Sequence, residues 1–94
     1  MEIQETIPTE KQIAGAISAM RDSVWVINSE MEKTPSKESI ESIQRNVAHL
    51  ELQMSNEHIS NFDDDFIDIN QAILSGKEFL EIHKSILIED ENLN

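Results

Sequence analysis

Between Ser39 and Met54 the large apolar residues are Ile40, Ile43, Val47, Leu50 and Met54. Their steps of three, four, three and four put them on one stripe of an α-helix. Upstream, Ile13, Ile17, Met20, Val24, Ile27 and Met31 recur at four, three, four, three and four. That is the heptad seam of a helix bundle or coiled coil. Downstream, Phe62, Phe66, Ile69, Ile73, Leu80 and Leu87 share a third stripe, with Gly76 and His83 at the intervening stripe positions. The pattern predicts an all-α, antiparallel three-helix bundle whose core is these three stripes.

Local signals set the expected boundaries. Thr9 is a good N-cap and Gln12 stands three residues on, which fits a capping box, so the first helix should run from Glu10 to Glu32. Pro35 cannot continue that helix but suits the first turn of the next. Thr34 or Ser36 caps the second helix, and Glu38 and Glu41 favour the positive end of its dipole. A link this short makes the two helices antiparallel neighbours. The second helix should fade from Ser55 to His58, and Asn56, Ser60 and Asn61 mark a second connection. Asp63, Asp64 and Asp65 then fall in the first turn of the third helix, with Ser60 or Asn61 as its cap. Gly76 has two readings. It ends one helix, with Ser75 capping another and Glu78 completing a capping box, or it lies inside one helix where a partner presses close. The expectation is a break or kink near Gly76. Residues 1–94 form a single helical domain, with residues 1–8 as a flexible arm and residues 89–94 as an acidic tail.

Charge changes the picture more than length does. Among 94 residues, 19 are acidic and 7 basic, for a net charge of −12. Direct binding to nucleic acid is disfavoured, because that needs Lys and Arg to displace counterions. An anionic membrane surface repels the chain, whereas basic proteins attract it. No apolar run approaches the roughly 20 residues that span a bilayer, and MEIQETIPTE lacks the basic and apolar regions of a secretory signal. The absence of Cys excludes disulfides, thiolate catalysis and Cys-ligated metals.

No catalytic residue, metal ligand or cofactor site stands out. None of His49, His58 and His83 lies three or four residues from another His. His49 flanks the second stripe, where it snorkels or caps a partner, and His83 lies on the third as a satisfied core or edge residue. The twelve-residue calcium loop fails against Asp63, Asp64, Asp65 and Asp68, since its sixth and twelfth positions are Asp68 and Leu74. Helix capping or a functional acidic surface are the two readings of these four aspartates. Two glycines cannot make a phosphate loop, and no serine-nucleophile elbow is present.

Trp25 is the most informative single residue. It falls one step off the Val24–Ile27 stripe and Val26 follows it, so both should lie on the flank or outside of the first helix. Packing over the edge of the third helix is the expected position of Trp25; otherwise it is an exposed anchor. The doublets Ile73-Leu74 and Phe79-Leu80 and the run Ile86-Leu87-Ile88 widen the third stretch beyond what one seam needs. Trp25, Val26, Leu74, Phe79 and Ile86 are therefore the candidate interface, for a protein partner or for self-association into a homo-oligomer.

Two resemblances extend these readings. Glu38-x-x-Glu41 and Asp65-x-x-Asp68 are similar to the paired acidic doublets of all-α nucleoside triphosphate pyrophosphatases of the MazG type, in which two helices present carboxylates to Mg²⁺. Asp65 stands where that family has Glu, and Glu38 and Glu41 lie opposite the Ile40–Ile43 stripe. At RNVAHLELQ (Arg45 to Gln53) and DINQAILSGKEFL (Asp68 to Leu80) the chain resembles short helical proteins of tailed bacteriophages. This resemblance implies synthesis in the host bacterial cytoplasm and a role as a virion or assembly component, or as an effector that binds a host protein. The leading expectation is a non-enzymatic acidic helical protein acting through protein–protein contact. The alternatives are an acidic nucleic-acid mimic that occupies a basic host protein, and the pyrophosphatase.

Overall fold

A computed structural model of the chain describes residues 7–87. Four helices follow in order: α1 (Glu10–Glu32), α2 (Lys37–Met54), α3 (Glu57–Ser60) and α4 (Ile67–His83). The three long ones pack on one another as an all-α three-helix bundle. Of the expected arm and tail, residues 1–6 and the whole of 89–94 lie outside the described residues.

The starts of α1, α2 and α3 are built by polar side chains, whereas the N-cap of α4 is Phe66. Thr9 Oγ1 accepts the Gln12 N–H at 3.1 Å while Gln12 Oε1 accepts the Thr9 N–H at 2.9 Å, which completes the expected capping box. At α2 the cap is Ser36, and the reciprocal partner is Ser39 rather than a glutamate. Ser39 is itself buried, so its hydroxyl satisfies backbone groups inside the link.

The core follows the stripes. Ile17, Met20, Ile27, Ile40, Ile43, Leu50 and Ile69 are fully buried, and Ile13 and Val47 nearly so. Val24, Met31, Met54, Phe62, Phe66, Ile73 and Leu80 pack around them as partly buried neighbours. Ile59 on α3 was not on any stripe, yet it is 4% exposed. Asn56 Oδ1 caps α3 by accepting the His58 N–H at 3.0 Å, and the four-residue helix carries Ile59 into the core.

Two expectations are corrected. First, α4 runs unbroken through Gly76. A Cβ at Gly76 would lie 2.6 Å from Val47 Cγ2, with Ile27 Cγ2 and Ile43 Cγ2 at 3.5 and 3.7 Å. The glycine is buried where all three long helices converge, so it serves close approach and not a kink. The helix instead yields at Lys84, after which residues 85–87 are again helical.

Second, Asp63, Asp64 and Asp65 precede α4 and do not form its first turn, and neither Ser60 nor Asn61 caps it. The reason is competition for the backbone. Asp64 Oδ1 accepts the Asp65 N–H at 2.7 Å and Asp65 Oδ1 accepts the Ile67 N–H at 2.9 Å, local bonds that hold a turn. Arg21 of α1 then donates to the Asp65 carbonyl at 2.6 Å and fixes this turn against the bundle. Asp68 alone remains in the first turn.

The pairing sets the directions of the helices. Arg21 meets Asp68 and Asn28 shares a cleft with Ser75, so α1 and α4 run parallel. Along α1, Ser23 meets His49 while Ile27 converges with Val47 and Ile43 at Gly76, so partner numbers on α2 fall as those on α1 rise, and α2 runs against both. Among the described residues no helix is long and apolar enough to cross a membrane.

Candidate interaction surface

Large apolar side chains stay in solvent at Ile7, at Leu52 on α2, and in greatest number on α1 and α4. Trp25 is 70% exposed, so it does not pack over the edge of α4 as the spacing suggested. Val26, its neighbour, is half-buried: successive helical residues project about 100° apart, which carries it away from Trp25. On α4, Leu74 and Ile67 are each 70% exposed and Ile82 is 65% exposed. Their spacings of seven and eight keep them on one side of the helix, opposite the buried Ile69, Ala72 and Gly76. Thus α4 is apolar on both faces, and only one of them is used by the bundle.

Other candidate residues sit elsewhere. Phe79 packs against the core as a partly buried residue, with its ring centroid 4.4 Å from that of His83, so it belongs to the bundle interior and not to the open face. Ile86 is half-buried, beyond the Lys84 turn. Spacing alone missed Ile67 and Ile82; the available signal was that both lie seven or eight residues from Leu74, off the core stripe.

Between α1 and α4 an open cleft of about 240 Å³ is lined by Val24, Asn28, Asp68, Gln71, Ala72 and Ser75. Trp25 follows Val24 and Leu74 precedes Ser75, so each helix that lines the cleft also carries an exposed apolar residue one position from its lining. At its Asp68 end stands Arg21. Its guanidinium donates to Asp68 Oδ2 at 3.1 Å and to the two carboxylate oxygens of Asp64 at 3.3 and 3.4 Å. The Arg21 hydrogen bond, followed by the Asp65 N–H, pulls the Asp64 carboxyl below its ordinary pKa. Hydrogen bonds to Asp64 and then Asp68 push the guanidinium's own pKa up. Of the candidate acidic surface, Asp64 and Asp68 are therefore tied to Arg21, Asp65 is committed to the turn, and Asp63 is exposed.

The acidic doublets are not brought together. Val47 lies level with Gly76, and α2 runs against α4. At 1.5 Å per residue, Glu41 and Asp68 are therefore roughly 20 Å apart along the bundle. Glu38 is exposed and Asp65 accepts the Ile67 N–H in the turn before α4, so the four carboxylates share no site. No group of three or more His, Cys, Asp or Glu able to hold a metal ion occurs among the described residues.

One polar pair resembles catalytic geometry. Ser23 Oγ lies 2.7 Å from His49 Nδ1, a nucleophile–base distance. Ser23 is only 6% exposed, however, and among the described residues nothing hydrogen-bonds the other ring nitrogen. Both side chains spring from the middle of long helices whose N–H groups are used within the helix, so no oxyanion donors face them. The pair is a buried polar tie between α1 and α2, the partner-capping role expected of His49.

Compared with protein-family models, curated proteins and solved structures, the chain matches none.

Proposed function

We propose that this protein is a non-enzymatic module that binds another polypeptide on the outer face of α1 and α4. The observation that carries the reading is that Trp25 on α1 and Leu74 on α4, neighbours in sequence of the cleft-lining Val24 and Ser75, are each 70% exposed. Burying a tryptophan is a large gain, and the residue is enriched at energetic centres of interfaces. Leaving it in water brings the fold nothing. The resemblance to tailed-bacteriophage proteins fits an effector or assembly component that meets its partner in the host bacterial cytoplasm.

The test is capture of a partner from bacterial lysate by the full chain at low and high salt. Capture is expected to survive high salt, because apolar burial is not screened. It should fall roughly tenfold or more with Trp25→Ala, the scale of an interface hot spot. The thermal melt should not move, since Trp25 supports no core contact. Release by salt alone, with Trp25→Ala inert, would instead favour the acidic mimic of nucleic acid.

A further inference from the structure

The polar lining of the cleft between α1 and α4 is uncommitted. The side chains of Asn28, Gln71 and Ser75 hydrogen-bond no other described residue. Asp68 gives Oδ2 to Arg21 and leaves Oδ1 open. These acceptors share the cleft with the apolar Val24 and Ala72, and Trp25, next to Val24 in sequence, is exposed. The local charge is negative even after Arg21 is counted: one guanidinium is shared by the Asp64 and Asp68 carboxylates, and Asp63 and Asp65 are exposed in the same turn. Further down α4, Glu78 is exposed four residues from Leu74, while Glu81 is paired with Lys84 at 2.6 Å. The volume of about 240 Å³ falls below the roughly 300–1,000 Å³ of a small-molecule pocket, and suits one side chain of a larger partner.

We infer that the cleft seats an arginine side chain of the partner, an assignment that rests on the docking reading above. The aliphatic stem lies along Val24 and Ala72. The planar head takes the open oxygen of Asp68 and the side-chain oxygens of Asn28, Gln71 and Ser75, and an apolar residue next to the arginine covers Trp25 and Leu74. Arginine fits better than lysine. Its donors are spread in a fixed fork that several separated acceptors can meet, and its plane stacks on indole. The net charge of −12 draws basic partners to the surface before the cleft selects among them.

The probe is an acetylated, amidated Leu-Arg-Leu peptide, titrated into isotopically labelled protein and followed by NMR. Its control is the same peptide with citrulline, which has arginine's shape without the charge. The expected result is movement of the Trp25 indole signal and of the Asn28 and Gln71 side-chain amides. Citrulline should weaken binding roughly tenfold or more, the scale of a charge-assisted hydrogen bond. Asn28→Leu should weaken it to a similar extent at unchanged net charge, and exposed Asn28 tolerates a good helix former. Equal binding of the two peptides, or shifts confined to residues outside the cleft, would overturn the inference. So would cleft signals that move on dilution of the protein alone, because a second copy would then be the occupant. If Trp25→Ala abolishes lysate capture while Asn28→Leu leaves it intact, the docking face stands and the arginine seat falls. If neither variant affects capture, both fall.

Discussion

Helix α4 meets its two long neighbours in opposite ways. Against α2 it presents Gly76, and Val47 comes so near that a methyl group has no room. Against α1 it presents Asp68, Gln71 and Ser75, and the helices part into a cleft. The tight seam is apolar and fixes the fold. The open seam is polar, is tied at one end by Arg21, and is free to hold something else. The α1 seam is not loose throughout, since Ile27 also reaches Gly76; the cleft is a local opening on its outer side.

The contrast breaks most sharply at Gly76. Gly76→Ala should cost about 1–3 kcal/mol, the range for forcing a methyl group into a packed core. That outweighs the roughly 1 kcal/mol that alanine gains over glycine in helix propensity. Val47 is β-branched on a helix and cannot easily turn aside. Val47→Ala in the Gly76→Ala background should recover part of the loss, a coupling that urea melts of the four chains would expose. A simple sum of the two losses would show that the seam is not tight.

Gly15 supplies the matched control. It too lies inside a long helix, but a Cβ there meets nothing within 4 Å. Gly15→Ala should therefore stabilise by about 0.5–1 kcal/mol. Thermal melts of the two alanine variants should shift in opposite directions.

The smallest effect sharpens the other seam. Asp64 is ordinarily a carboxyl near 3.8, held lower here by Arg21 and the Asp65 N–H. A depressed folded-state pKa means that the clamp's contribution is present above the ordinary value and is lost as pH falls through the lowered one. Carbon NMR should give Asp64 a midpoint below 3.8, and Arg21→Ala should bring it back towards that value. A midpoint unchanged by Arg21→Ala would remove the clamp from the account.

The stripes made the bundle legible because burial follows helical period directly. Ile17, Ile43, Leu50 and Ile69 could each be placed inside from spacing alone. Gly76 could not be resolved that way. Whether a glycine breaks a helix or admits a neighbour depends on what lies across from it, and Val47 is 29 positions away in the chain. The aspartates before α4 were misplaced for a related reason: Arg21, more than forty positions earlier, competes for them. The docking face was half legible. Trp25 and Leu74 were singled out, but Phe79 had the same pattern and turned inward, and the cleft between α1 and α4 leaves no trace in either helix read alone.

The Arg21–Asp68 clamp joins residues 47 positions apart, whereas the link between α1 and α2 is a few residues long. Closing a long loop costs more entropy than closing a short one, and distant contacts form late. The hairpin of α1 and α2 is thus expected to assemble before the Arg21–Asp68 clamp closes, an order that pulsed amide exchange would test. The helix that builds half of the binding face is the one that this closure ties to α1, so amide exchange should find it the first to leave.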